Sequence, residues 1–444
     1  MLAALRSMLK YFNVINKRTV FLHIFIFVIV TVLLLVSYMG DLYNVNTFRA
    51  NYKEFDTHDD IVQRYLEKRK KWNTSNLGSL LFKFHVTNDV IQNNTRNRDN
   101  KRFIVLIWKH WDWLKNRHVY NFNNNKRIRK PDPLSDCSVK NCLITGDNKY
   151  LESADAVVIH IQRGVFPSVS SRNRDQRWIF LSDESPINSF SMAKSKPKLA
   201  DLKNIFNWSM TYRSDADVPV PYGRTVPLSM PLLHDVSYKF LAKLVPYWNI
   251  KRRDKLAAIL MSNCEVSKRM EYLNKLEEYL PLDIYGKCST DHKDSCPGHF
   301  KSDCKVTTEY LFYLVFENSQ CREYLTEKAF NNAYEKGAIP IIMGPKEDEC
   351  AKILPPNSYL HVDNFNGPKK IAEYITFLSD SNERLLDFHR WRNDFKIVNE
   401  HGYFGTKSFH YCRVCEALNY NDERERVYDV KDLQYFLDEK ELCF

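Results

Sequence analysis

The 444 residues contain no internal repeat and no long low-complexity segment, so neither a stack of repeated units nor a long disordered tract organises the chain. No nucleic-acid-binding motif accompanies the formal net charge of +11. Spread over a large surface, that excess serves solvation and favours capture of an anionic ligand without implying DNA or RNA. In one stretch charge is missing altogether: residues 20–39 (VFLHIFIFVIVTVLLLVSYM) hold no Lys, Arg, Asp or Glu. At about 1.5 Å per residue, a helix of that length spans roughly a 30 Å hydrocarbon core. A small-residue cleavage site is also absent, and the block exceeds the roughly 7 to 15 apolar residues of a cleaved signal, so an uncleaved anchor is expected. Arg6, Lys10, Lys17 and Arg18 precede it, and the first basic residue after it is Arg49. Positive charge stays cytoplasmic, which places residues 1–19 in the cytosol and the bulk of the chain in a lumen.

A luminal chain gives meaning to the acceptor sequons at Asn73, Asn93 and Asn207. It also gives meaning to eleven cysteines, which imply disulfides and, being odd in number, leave at least one thiol free or paired between chains. Cys137, Cys142, Cys412 and Cys415 would suit a four-thiolate zinc site, but an oxidising lumen favours disulfides that pair Cys137 and Cys142 with Cys412 and Cys415, which with which being unassigned.

Residues 40–100 are polar and without sustained period, and read as a stem. Buried-strand candidates follow at 102–108, 154–161 and 177–183. The Pro-rich crossing VPVPYGRTVPLSMP (218–231) forbids regular helix and leads to a domain boundary near residue 245. Beyond it come a strand (256–263), a helix with apolar spacing at Met270, Leu273, Leu276 and Leu280, and a strand LDIYG. The stretch YLFYLVFENSQCREYLTEKAFNNAYEKGAIPIIMGP (310–345) then parses as strand, polar loop, helix from about 325 to 336 ending at Gly337, and strand. Alternating strands and helices predict two α/β domains, 101–245 and 246–444, with parallel sheets whose carboxyl ends hold the ligand. Thr326 would cap the last helix, placing Lys328 where the helix dipole disfavours a cation. An anionic ligand such as a diphosphate would remove that conflict.

FENS (316–319), EYLTEK (323–328) and GAIPIIMGP (337–345) closely resemble the donor-binding signature of the α-1,3-fucosyltransferases, with Glu323 in place of the usual Asp. FNWSMTYRSDADVPVPYG (206–223), FLSDESP (180–186) and SNC (262–264) resemble further motifs of that family, in its order, across roughly residues 100–416. The resemblance implies a type II Golgi membrane protein of GT-B architecture, two Rossmann-like domains facing a cleft, with a C-terminal segment returning to the first. It implies GDP-β-L-fucose as donor and a GlcNAc-containing glycan on glycoprotein as acceptor. Carried over by position, Ser262, Asn263, Arg269, Asn318, Tyr324, Glu327 and Lys328 would bind the donor.

Transfer from a β-linked donor to an α product inverts the anomeric centre and needs a base for the acceptor hydroxyl. Glu184 matches the glutamate of the family's ESP motif and is the expected base, with Asp183 its local rival. Side chains alternate along a strand, so the two are not expected to face the cleft together. Arg269 and Lys328 would meet the charge growing on the leaving phosphate. Asp215 and Asp217 look like the metal-binding pair of another glycosyltransferase architecture, yet they fall inside a segment the resemblance already explains. No cofactor is expected to be required, although the family leaves room for stimulation by a divalent cation such as Mn²⁺ and for a homo-oligomer. A glycosidase would leave the TEK helix without purpose, and a non-catalytic Golgi homologue would not need intact Glu184, Arg269 and Lys328. The acceptor stays open between the innermost N-glycan GlcNAc, toward which YCRVC and Cys321 lean, and outer Gal-GlcNAc arms.

Overall fold

The computed structural model describes residues 25–32, 56–83, 101–122, 132–168, 173, 175–292, 295–297, 302–422 and 426–444. The chain divides into two units, 1–56 and 57–444. In the first, residues 25–32 are helical with exposed apolar side chains. Among the described residues no helix is long and apolar enough to cross a membrane. The rest of the expected span, and Asn93, lie outside the described residues.

The second unit begins earlier than a stem reading allows. Thr57 and Asp60 form a capping box that starts α1 (His58–Glu67), and the Ser75 hydroxyl caps α2 (Asn76–Phe82). Neither is a solvated stem. Leu77, Leu81 and Phe82 enter the main core, and Arg69, 2 % exposed, donates to the carbonyls of Phe82, Lys352 and Ile353. Too few apolar residues mark this segment, because a buried guanidinium does the anchoring.

Next come β1 (Phe103–Trp108), α3 (Trp111–His118), β2 (Cys142–Thr145), β3 (Ala156–His160), β4 (Arg177–Ser182), β5 (Trp208–Thr211) and β6 (Val218–Pro219). They form a wholly parallel sheet in the order β2-β1-β3-β4-β5-β6. Both faces are covered, which is why these strands are apolar runs without alternation. Val105, Ile107, Ile179 and Leu181 face a core shared with α2 and α3, whereas Leu106, Trp108, Trp178 and Phe180 face a second core. The proline crossing supplies β6 and β7 (Gly223–Pro227).

The second lobe holds β8 (Ala257–Leu260), α4 (Ser267–Glu277), β9 (Leu282–Tyr285), β10 (Phe312–Phe316), β11 (Ile339–Met343) and β12 (Leu360–His361), parallel in the order β12-β11-β10-β8-β9. The regular α-helix expected over 325–336 is instead a π-helical turn, Lys328–Ala333, followed by a 3₁₀ turn, Tyr334–Lys336. Wider winding lets Asn331 and Asn332 sit buried and hydrogen-bonded, with Asn332 donating to Tyr313. Gly337 ends it at φ +65°, where a Cβ would meet the carbonyl oxygen of Pro246 at 2.1 Å.

β13 (Phe395–Asn399) pairs antiparallel with β7, bringing the chain back to the first lobe. There α5 (His410–Tyr420) packs on the first core, and α6 (Val430–Leu437) packs on the second through Leu433, Phe436 and Leu437. Cys137–Cys412 and Cys142–Cys415 staple α5 to the sheet, so the four thiols are not available to zinc. Cys264–Cys288, Cys296–Cys304 and Cys321–Cys443 are also bridged, and Cys350 is buried with a free thiol.

Candidate active site

The carboxyl ends of β4 and β10 meet between the lobes. Ser185, just past β4, donates to Ser319 in the loop after β10 at 2.8 Å, and the Tyr324 hydroxyl donates to Glu184 Oε2 at 3.1 Å. The ESP and FENS motifs, more than 130 residues apart in sequence, therefore touch directly. Asn318 completes this contact by accepting from the Ser319 hydroxyl at 3.2 Å.

Glu184 and Asp183 have opposite fates. Burial, then the neighbouring Asp183 charge, push the Glu184 carboxyl up from 4.5 to about 7, partly offset by Tyr324, Lys328 and Arg117. Asp183, the first residue past β4, turns into the interior instead. Burial alone would raise its pKa, but Arg117 at 2.8 Å, with His160 and His401 beside it, carries it well below the carboxylate range. Asp183 is a buried counter-ion and is not placed to act as the base.

The start of the TEK segment differs from expectation. The buried carboxylate of Glu317, from FENS, accepts from the Thr326 N–H at 2.8 Å, from the Thr326 hydroxyl, and from Lys328 Nζ at 2.9 Å. Lys328 also lies 3.5 Å from half-buried Glu327. Burial would lower the Lys328 pKa, but the two carboxylates hold it above its ordinary value. Thr326 thus serves Glu317 rather than capping the turn, and an internal carboxylate, not an external anion, resolves the conflict of a lysine at this position. Uncompensated charge cannot stay buried, and the nearest carboxylate fills the place.

Arg269, on α4, is a buried cation near the end of β10 with no such carboxylate partner. It is 2 % exposed, donates to the carbonyls of Phe316 and Asn263, has no ion pair among the described residues, and its Nε has no hydrogen-bond partner. Burial lowers its pKa, and the more distant Glu317 offsets this in part. Ser262 and Asn263 are exposed on the loop after β8, where the Asn263 side chain accepts from the Glu265 N–H.

One expectation, a glycan at Asn207, is corrected by the burial of that residue. Asp215 is held through both oxygens by Arg213 and Tyr435, and Asp217 through Oδ2 by Ser209 and Tyr428, so both carboxylates serve contacts within the first lobe and the returning chain. Asn207 is 2 % exposed, with its side chain accepting from the Trp178 N–H and donating to the Arg426 carbonyl, which leaves no room for a glycan. Asn73 is exposed between α1 and α2. His118, Asp183 and His410 each bring one ligand atom within 4.8 Å of the others, but Arg117 already neutralises the carboxylate and would repel a divalent ion. Arg117, Tyr222, Glu317, His401 and Tyr403 were not singled out by sequence, since only Glu317 and Tyr222 lie in a quoted motif.

Residues 100–223 match "Fucosyltransferase, N-terminal" and residues 250–435 match "Glycosyltransferase family 10 (fucosyltransferase) C-term". A 4-galactosyl-N-acetylglucosaminide 3-alpha-L-fucosyltransferase of Pan troglodytes is 34 % identical over 302 residues, covering 66 % of this chain and 76 % of its own. A 3-galactosyl-N-acetylglucosaminide 4-alpha-L-fucosyltransferase of the same species is 34 % identical over 299 residues, covering 65 % and 73 %. A solved α1,3-fucosyltransferase with GDP-fucose aligns over 74 % of this chain and 95 % of its own, at 18 % identity and a TM-score of 0.43. The chain belongs to glycosyltransferase family 10, the α-1,3-fucosyltransferases, and is a GDP-fucose-dependent glycosyltransferase.

Proposed function

We propose that the enzyme transfers L-fucose with inversion from GDP-β-L-fucose to the 3-hydroxyl of a GlcNAc in glycoprotein glycans. The observation that carries this is Glu184, a cleft carboxyl with a pKa near 7, hydrogen-bonded by Tyr324 of the opposing donor motif. A base is most useful when its pKa lies near the working pH. Glu184 takes the proton as the acceptor oxygen attacks the anomeric carbon, and the bond to GDP breaks on the opposite face. Arg269, buried without a carboxylate, meets the charge that grows on the departing diphosphate, and Lys328, held by Glu317 and Glu327, adds to the positive field at the same end of β10. Ser262, Asn263, Asn318, Tyr324 and Glu327 line the donor side, with Glu327 toward the ribose. Because these cations supply the compensation, transfer proceeds in the presence of a chelator, and Mn²⁺ at most stimulates it.

The topology proposed is type II in the Golgi: residues 1–19 cytosolic, 20–39 spanning and the rest luminal. Five disulfides among the described residues support an oxidising compartment. For the acceptor, the sequence leans toward the innermost N-glycan GlcNAc, whereas the relatives named above act on galactosylated GlcNAc and favour an outer arm. Incubating the luminal part with GDP-fucose and both acceptor types, then assigning the linkage by NMR, decides between them. Failure to fucosylate either type would overturn the proposed transfer.

A further inference from the structure

Arg117 has no task in the chemistry described so far, yet four segments distant in sequence converge around the residue it pairs with. From α3, Arg117 Nη1 reaches Asp183 Oδ2 at 2.8 Å. From beyond β13, His401 Nε2 reaches the same oxygen at 3.1 Å, and from the end of β3, His160 Nε2 lies 3.8 Å from the other. The Tyr222 hydroxyl donates to the Asp183 carbonyl at 2.8 Å, while its ring stacks on His401 at 3.8 Å. The guanidinium also lies 4.6 Å from the centre of the Tyr403 ring. A buried ion pair is seldom more stabilising than an apolar pair of the same volume, so its presence asks for another reason. The next residue in the chain is Glu184.

We infer that Arg117 is a positioning residue for fucosyl transfer: through Asp183 it fixes the turn that aims Glu184 and keeps one negative charge beside it. This rests on Glu184 being the base. The groups around the pair are Arg117 and His118 from α3, His160 from β3, Tyr222 before β7, Tyr324 and Lys328 from the second lobe, and His401, Tyr403 and His410 from the returning chain. Burial pushes His118 and His410 well below the usual imidazole range and lowers His401, so these three are neutral near pH 7. Arg117 and Lys328 are cations that face the carboxylates. A like charge at the preceding residue disfavours ionisation of Glu184, and a cation at Arg117 favours it.

The test is the pH profile of kcat in four variants of the luminal enzyme, each corrected for folded fraction by circular dichroism. Asp183→Asn removes the like charge, so its acid limb should move down by about half a pH unit or more. Arg117→Met removes the cation while His160 and His401 still contact Asp183, so its limb should move up. Arg117→Lys keeps the charge but changes the reach and direction of the single Nη1 contact with Asp183, so the limb should stay while kcat falls about tenfold, with KM for GDP-fucose unchanged. Glu184→Gln separates the two readings: full activity there removes the base and this inference together. If Glu184→Gln is inactive but the limb stays put in both Asp183→Asn and Arg117→Met, the pair is only structural and the inference fails alone. Should Arg117→Met not fold, Asp183→Asn and Arg117→Lys decide, and wild-type behaviour in both overturns it.

Discussion

Replacing Glu184 by Gln should slow the enzyme and, at alkaline pH, stabilise it. In the native state the carboxyl ionises near pH 7 rather than 4.5, so folding makes the charged form harder to reach. The sign follows: the native state loses stability as pH rises from about 4.5 to 7, and above 7 the whole cost is present. At roughly 1.4 kcal/mol for each pH unit, that cost is about 3 kcal/mol. Gln has the same shape, can still accept the Tyr324 hydrogen bond, and carries no charge to desolvate. Denaturant unfolding of the two proteins should therefore differ by about 3 kcal/mol in favour of Glu184→Gln at pH 8 and by well under 1 kcal/mol at pH 4. In the same preparations kcat should fall by about 10² to 10⁴ with little change in affinity for GDP. A variant no more stable than wild type at pH 8 would show that the wild-type carboxyl is not desolvated, and the reasoning about its basicity would fall.

Arg269→Ala should weaken use of GDP-fucose by about 2 to 4 kcal/mol in transition-state terms, with kcat falling as well as KM rising; wild-type kinetics would leave the buried guanidinium without a role in charge compensation. Because the two long-range bridges close nearly the same loop, opening either alone, by Cys137→Ser with Cys412→Ser or Cys142→Ser with Cys415→Ser, should cost about 2 to 3 kcal/mol in the chain-entropy account, and non-reducing peptide mapping should recover these two pairings and no crossed ones. Asn73→Gln should reduce the glycosylated mass of a secreted luminal form, and Asn207→Gln should not; a glycan mapped to Asn207 would contradict its burial.

Strands β1, β3, β4 and β10 were legible because a strand covered on both faces needs only a short apolar, β-rich run bounded by charge. The separation of Glu184 from Asp183 was legible too, through alternation, but which of them turns inward depended on Arg117. That residue lies in α3, whose polar sequence WDWLKNRH resembles a solvated helix. Arg69 and Glu317 were obscured in the same way: a buried ion looks like a surface ion until its partner, distant in sequence, is known. The π-helical turn was hidden because its signature is a change of winding, and FNNAY fits an α-helix as well. Asn207 shows the limit of a triplet motif, since three residues cannot report that the first is inside a core.

Residues 57–83 have a consequence for how the molecule comes apart. Arg69 binds carbonyls at 352 and 353 in the second lobe, Leu77 and Leu81 lie in the core of the first, and Arg224 donates to the Leu81 carbonyl at 2.9 Å while neighbouring Thr225 donates to Ile353 at 2.8 Å. With β7 paired to β13 and α5 stapled to the first sheet, no single cut in the chain separates one lobe from the other. Heat should therefore melt residues 57–444 in one calorimetric transition rather than two. A protease that nicks near residue 245 should leave a complex that stays together until it is denatured.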